Sequence, residues 1–172
     1  RAMTVRDLFL HTSGITYAFL QQTSVDAIYR AKGIDYSKHA GDLKSFCELL
    51  ATAPLVFSPG DRWNYSNSTD VLGRVVEVAS GMSLDAFFRK RIFEPLGMND
   101  TFFSVPEDKV GRLMACYARN PVSGVTGLAD PAGKASAYAK KPNVFSGGGG
   151  LASTIGDYFT FCKMLGNGGE LN

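Results

Sequence analysis

The residues best suited to chemistry lie in Phe57-Ser58-Pro59-Gly60-Asp61-Arg62-Trp63-Asn64-Tyr65-Ser66-Asn67, a Pro-Gly turn that runs into an aromatic-rich stretch. Tyr65 offers a phenol and Asn67 a carboxamide, and both abut the start of the most regular amphipathic segment of the chain. There the first backbone N–H groups of a helix lack intrahelical partners and carry partial positive charge. A tyrosine phenol, with a reference pKa of about 10, relays a proton only where neighbouring positive charge stabilises its phenolate or where it passes the proton on. Taken alone, the same segment also reads structurally, with Trp63 and Tyr65 as core aromatics and Asn67 or Ser68 as a helix N-cap.

Five amphipathic segments must position these groups. Thr4 to Leu10 opens with the capping pattern Thr4-x-x-Asp7, points Val5, Leu8 and Phe9 inward, and is stopped by Thr12-Ser13-Gly14. Asp42 caps a second segment that buries Leu43, Phe46, Cys47 and Leu50 before Pro54. The spacing predicts a third helix over Ser68 to Ser80, with Val71, Leu72, Val75, Val76 and Ala79 on one face and Gly81 as its cap. A fourth starts at Ser83 and buries Leu84, Phe87, Phe88 and Ile92 until Pro95 and Gly97 break it. A fifth opens with Thr154-x-x-Asp157 and runs through Ile155, Tyr158, Phe159, Cys162 and Leu165 to Gly166. The expected class is mainly α.

Between the last two helices, short apolar pieces at Thr101 to Val105 and Leu113 to Ala118, followed by Asn120-Pro121-Val122-Ser123-Gly124, predict a small hairpin. Ser146-Gly147-Gly148-Gly149-Gly150 suits neither a helix nor a strand interior, so something there needs bare backbone. Residues 1–172 contain no repeat or convincing linker and read as a single region.

Several function classes fall away. The 18 Lys and Arg against 16 Asp and Glu form no basic stripe, Arg89-Lys90-Arg91 reads as a solvated helix face, and no nucleic-acid partner is expected. No apolar run approaches the roughly 20 residues of a membrane span. Arg1 to Thr4 shows no leader signature, and the compartment stays open between cytoplasm and periplasm. His11 and His39 fall short of a metal cluster, and no cofactor or metal is expected. His11-Thr12-Ser13-Gly14 fits a helix stop, which gives His11 a structural role, and His39 is expected to be solvated. Cys47, Cys116 and Cys162 are widely spaced and read as small buried hydrophobes.

The order of Thr4 to Gly14, Phe57 to Asn67, Ser80-Gly81, Ile92 to Met98 and Gly147 to Thr154 resembles the serine β-lactamase-like hydrolases, which include class C β-lactamases, family VIII esterases and DD-peptidases. The resemblance implies the helical region of the serine β-lactamase and penicillin-binding-protein-like fold, with a small β-hairpin, α+β in the complete protein. It makes Tyr65 the catalytic tyrosine of a Tyr-x-Asn motif that shuttles protons to and from a serine nucleophile, and Asn67 the residue that contacts substrate and the motif lysine. It also places the Gly-rich loop beside the substrate cleft.

No serine in the chain has a lysine three places on; Ser136 and Lys140 are four apart. Lys109-Val110-Gly111 precedes the Gly-rich segment, whereas the family's late motif, Lys-, His- or Trp-x-Gly, follows it. The resemblance therefore implies the central portion of a longer protein, inactive alone, that acts through an acyl-enzyme on a small-molecule ester or amide and can self-associate through an exposed apolar face. The alternative is a noncatalytic binding or scaffolding protein that kept the fold.

Overall fold

Capping chemistry sets the helix starts in the computed structural model, which describes residues 1–171. Thr4 caps α1 (Val5–Phe9), and Asp7 completes the reciprocal box by accepting from the Thr4 backbone. Asp42 caps α3 (Leu43–Leu50), Ser83 caps α5 (Leu84–Phe88) and Thr154 caps α7 (Ile155–Gly166). α4 (Ser68–Ser80) ends on Gly81 in the left-handed region. After α5 the chain widens into a π-type turn, Arg89–Phe93, before the short α6 (Glu94–Leu96).

An unforeseen helix, α2 (Ser24–Ala31), carries the same signature as its neighbours, because Thr23-x-x-Asp26 forms a full capping box. The expected hairpin is present as β1 (Cys116–Arg119) antiparallel to β2 (Thr126–Asp130), with Tyr117 opposite Leu128. Asn120 closes its turn by accepting from the Val122 and Ser123 amides. The mainly α class with a small hairpin is what the residues form.

The chain groups into two compact units: Arg1–Arg91 with Asn143–Gly150, and Ile92–Pro142 with the chain from Leu151 onward. In the first, α4 packs against α1, α3 and α5. Leu43 and Leu84 close on Gly73, where a Cβ would stand 2.8 Å from Leu84 Cδ2. Phe46, Tyr29 and Ile34 complete that core. In the second unit Phe93, Met98, Phe103, Val105 and Val110 are buried, and Asp157 ties α7 down by accepting from the Asp100 amide at 2.7 Å and from Thr101 Oγ1 at 2.9 Å. Lys109-Val110-Gly111 enters a 3-10 turn, with Lys109 Nζ held 2.8 Å from Asp100 Oδ1.

Periodicity misplaced several side chains. Val5 and Phe9 of α1, and Ile155, Tyr158, Phe159 and Leu165 of α7, are exposed, and α7 buries no residue. α4 buries Ser68, Asp70 and Gly73, while Val75, Val78 and Ala79 are exposed. The helix meets backbone there, so only small or hydrogen-bonded side chains fit. Cys47 is half-buried and Cys116 and Cys162 are exposed, the former because its strand is solvated on both faces. His39 is half-buried, bonded to Ser45 Oγ at 2.9 Å with its edge on Phe46.

Asp26 is fully buried, and burial pushes its carboxyl up. Donors more than offset this: Thr16 Oγ1 and Thr23 Oγ1 at 2.8 Å each, and the Gln22 and Thr23 amides at 2.7 and 2.9 Å, leave it below the ordinary carboxylate range. A depressed folded-state pKa contributes stability above the unfolded value that is lost as pH falls through the folded one. Asp26→Asn should therefore cost about 1–3 kcal/mol at pH 7 in urea titrations, with the gap to wild type closing as the medium is acidified below the carboxylate range. Equal stability at pH 7 would count against this account.

Candidate active site

The site is built where residues 11 to 16 run beside residues 56 to 67. The Val56 amide donates to Gly14 O, Gly60 to Thr12 O and Asn64 to His11 O, each at 2.8 Å. The Asn64 and Asn67 carboxamides add bonds to Ile15 O at 2.9 Å and Thr16 O at 2.8 Å. A Cβ at Gly14 would run into the Phe57 carbonyl, so the two strands of chain approach this closely only with glycine there.

Tyr65 emerges from this pairing 44% exposed, and Trp63 65% exposed, so neither is a core aromatic. The Tyr65 ring is held between His11 and Tyr17, with centroids 5.3 and 5.1 Å away. Tyr17 in turn stacks on Phe19 at 4.8 Å. Burial, then the negative charge of Asp70, pushes the Tyr17 phenol well above the usual tyrosine range.

Asn67 is 1% exposed and starts α4, yet its side chain does not cap the helix. Its Nδ2 is committed to Thr16 O, and its Oδ1 is buried with no hydrogen-bond partner among the described residues. Tyr65 and Asn67 thus differ in access, a partly exposed tyrosine beside a sealed carboxamide with one unused acceptor. A buried acceptor without a donor is costly.

The Gly-rich segment lies on the first turn of α4. Ser146 Oγ donates to Asp70 Oδ1 at 2.5 Å and the Gly148 amide reaches the same oxygen at 3.4 Å, while Asp70 Oδ2 is buried without a partner among the described residues. Burial raises the Asp70 carboxyl above the usual range. A raised folded-state pKa means that this group contributes stability at low pH that is lost as pH rises through the raised value.

The need for bare backbone is steric. A Cβ at Gly147 would collide with the Thr69 carbonyl, and one at Gly148 would stand 2.8 Å from Thr69 Oγ1 and 3.2 Å from the Tyr17 hydroxyl. Spacing does not single out His11, Tyr17 or Asp70 as site residues, since Asp70 is an ordinary first-turn acid of a helix that also carries Arg74 and Glu77. Gly147→Ala, which must push the loop off α4, should lower stability by about 1–3 kcal/mol in thermal melts; an unchanged melting curve would refute the tight packing.

With this geometry in place, likeness to known proteins is informative. The sequence profile of the Beta-lactamase family matches residues 1–172. The lovastatin esterase of Penicillium rubens is 35% identical over 174 residues, covering 99% of this chain and 42% of that protein. Simvastatin synthase from Aspergillus terreus superimposes with a TM-score of 0.73 at 27% identity, covering 99% of this chain and 40% of the other. EstCE1, a hydrolase with promiscuous acyltransferase activity, does so with a TM-score of 0.74 at 25% identity, covering 98% and 47%. The chain spans about two fifths of the length of the curated relatives that it matches from end to end. No helix among the described residues is long and apolar enough to cross a membrane. The profile match over the whole chain, joined to these structural likenesses, shows that the chain belongs to the β-lactamase family of the serine β-lactamase-like superfamily.

Proposed function

We propose that the protein is a serine hydrolase or acyltransferase that works through an acyl-enzyme on carboxylic esters or amides, with Tyr65 as its proton relay. The observation that carries this reading is Tyr65 itself, 44% exposed while its ring packs between His11 and Tyr17 and the next three residues are buried. A relay needs this combination of an accessible side chain and a held ring.

In the proposed cycle the Tyr65 phenolate takes the proton from a serine Oγ as that oxygen attacks the carbonyl carbon. The phenol returns it to the leaving oxygen or nitrogen as the C–O or C–N bond breaks. Water or an alcohol then attacks the acyl-enzyme by the same route in reverse, which separates hydrolysis from acyl transfer by the acceptor alone. A serine nucleophile paired with a lysine three places on lies outside residues 1–172 in this reading, and these residues form one helical region of the domain. Asn67 contributes its buried, unused Oδ1 as an acceptor for the lysine ammonium or a substrate N–H. The likeness to the lovastatin esterase, to an esterase of Burkholderia gladioli and to the hydrolase EstCE1 supports an ester substrate. The exposed apolar side chains of α7 are proposed as a contact surface for the rest of the domain or for a second copy.

In the intact protein, Tyr65→Phe should lower kcat on a p-nitrophenyl ester by about 100-fold or more with KM little changed, the range for a lost acid–base group. Activity within about twofold of wild type, well short of that range, or failure of the wild-type protein to take up a serine-directed fluorophosphonate, would overturn the reading.

A further inference from the structure

Three serine hydroxyls, each completely buried, form a line that ends on His11. Ser13 Oγ lies 2.7 Å from Ser68 Oγ, Ser68 Oγ lies 2.7 Å from Ser66 Oγ, and Ser66 Oγ lies 3.1 Å from His11 Nδ1. Each hydroxyl has one proton to give, so the three hydroxyl protons match the three links when Nδ1 is an acceptor, whereas a proton on Nδ1 makes four donors for three links. Run toward His11, Ser13 donates to Ser68, Ser68 to Ser66 and Ser66 to Nδ1, while Ser13 Oγ accepts from the Ile15 amide at 3.2 Å and Ser66 Oγ from the Ser68 amide at 3.3 Å. Every buried proton then has an acceptor. With Nδ1–H donating to Ser66, one of the three hydroxyl protons is left buried without an acceptor, because the remaining contacts of Ser13 and Ser66 are the Ile15 and Ser68 amides, themselves donors.

The direction fixes the imidazole. Nδ1 must be an acceptor, so His11 is neutral with its proton on Nε2, and partial burial favours the uncharged form as well. The residue also sits at φ 54, a left-handed conformation rarely taken by side-chain-bearing residues. This conformation turns the ring back over the Tyr-x-Asn segment, where it meets Tyr65 at 5.3 Å with a tilt of 48° and Trp63 edge-on at 6.2 Å. The same short segment thus holds Ser66 by a hydrogen bond and Tyr65 by a ring contact.

We propose that His11 is a positioning residue for Tyr65: the buried hydroxyl line from Ser13 locks its imidazole in the neutral Nε2–H form, and the locked ring fixes the aspect of the phenol. The proposal rests on Tyr65 being the proton relay. It assigns to the His11-Thr12-Ser13-Gly14 segment a role in catalysis beyond ending α1, without making His11 a partner in bond changes.

Two measurements on the intact protein test it. In a protein labelled with 15N-histidine, with the resonances lost in His11→Asn assigned to His11, the His11 Nδ1 should show the shift of an unprotonated, hydrogen-bonded nitrogen at neutral pH; a proton-bearing Nδ1 overturns the proposal whatever the kinetics. In parallel, His11→Ala should lower kcat by roughly 10- to 100-fold with KM nearly unchanged, the cost of a slightly misplaced catalytic group. His11→Asn, which keeps an acceptor at the δ position and tolerates positive φ, should restore most of that loss. Wild-type kcat in His11→Ala, or a His11→Asn protein that folds by circular dichroism but is as slow as His11→Ala, overturns it. If Tyr65→Phe is slow and His11→Ala is not, only the positioning role fails; if Tyr65→Phe is itself unimpaired, the relay reading fails and this one with it.

Discussion

The pairing of residues 11 to 16 with residues 56 to 67 is the constraint on which the site depends. It is made almost wholly of backbone donors and acceptors and of short polar side chains, and it brings together segments some fifty residues apart in sequence. Its demand for close approach explains why the start of α4 is lined by Ser66, Asn67, Ser68 and Asp70 rather than by aliphatic residues. Buried polar groups are tolerable there because nearly all are satisfied, and two atoms without a partner among the described residues, Asn67 Oδ1 and Asp70 Oδ2, stand out against that background.

A second consequence is that α4 serves two purposes with one face. Its first turn receives the Gly-rich loop through Asp70 and Ser146, and one turn later Gly73 admits Leu43 and Leu84. Polar specification near the site and apolar packing behind it are therefore continuous along a single helix. The aliphatic residues of α4 are left half-buried or exposed as a result.

Helix starts were legible because a capping residue and its partner lie three positions apart, within reach of local reading; Thr4, Asp42, Ser83 and Thr154 each behave so. Thr23-x-x-Asp26 carries the same sign and starts α2, whose apolar residues are as well segregated to one face as those of α3. Which faces are buried was far less legible. Val5, Phe9, Ile155 and Phe159 have the hydrophobic spacing of a core stripe yet face solvent, since a periodic pattern says which residues share a face and not what covers it. The prominence of Tyr65 and Asn67 came from the order of motifs, because neither residue type is unusual by itself. Tyr17, Asp70 and the direction of the serine line required coordinates, being relations across long stretches of chain.

The β1–β2 hairpin is fastened chiefly at its base, where Asp130 accepts from Ser136 Oγ at 2.5 Å and from the Ala137 amide at 2.9 Å; every residue from Cys116 to Ala129 is exposed. Its turn closes on itself through Asn120 rather than on any neighbour. A projection secured in this way can change length or sequence at the tip without disturbing the packing of its own unit. It is thus a natural point at which members of a lineage diverge, and a convenient one for grafting a label or an added loop at the 120–125 turn.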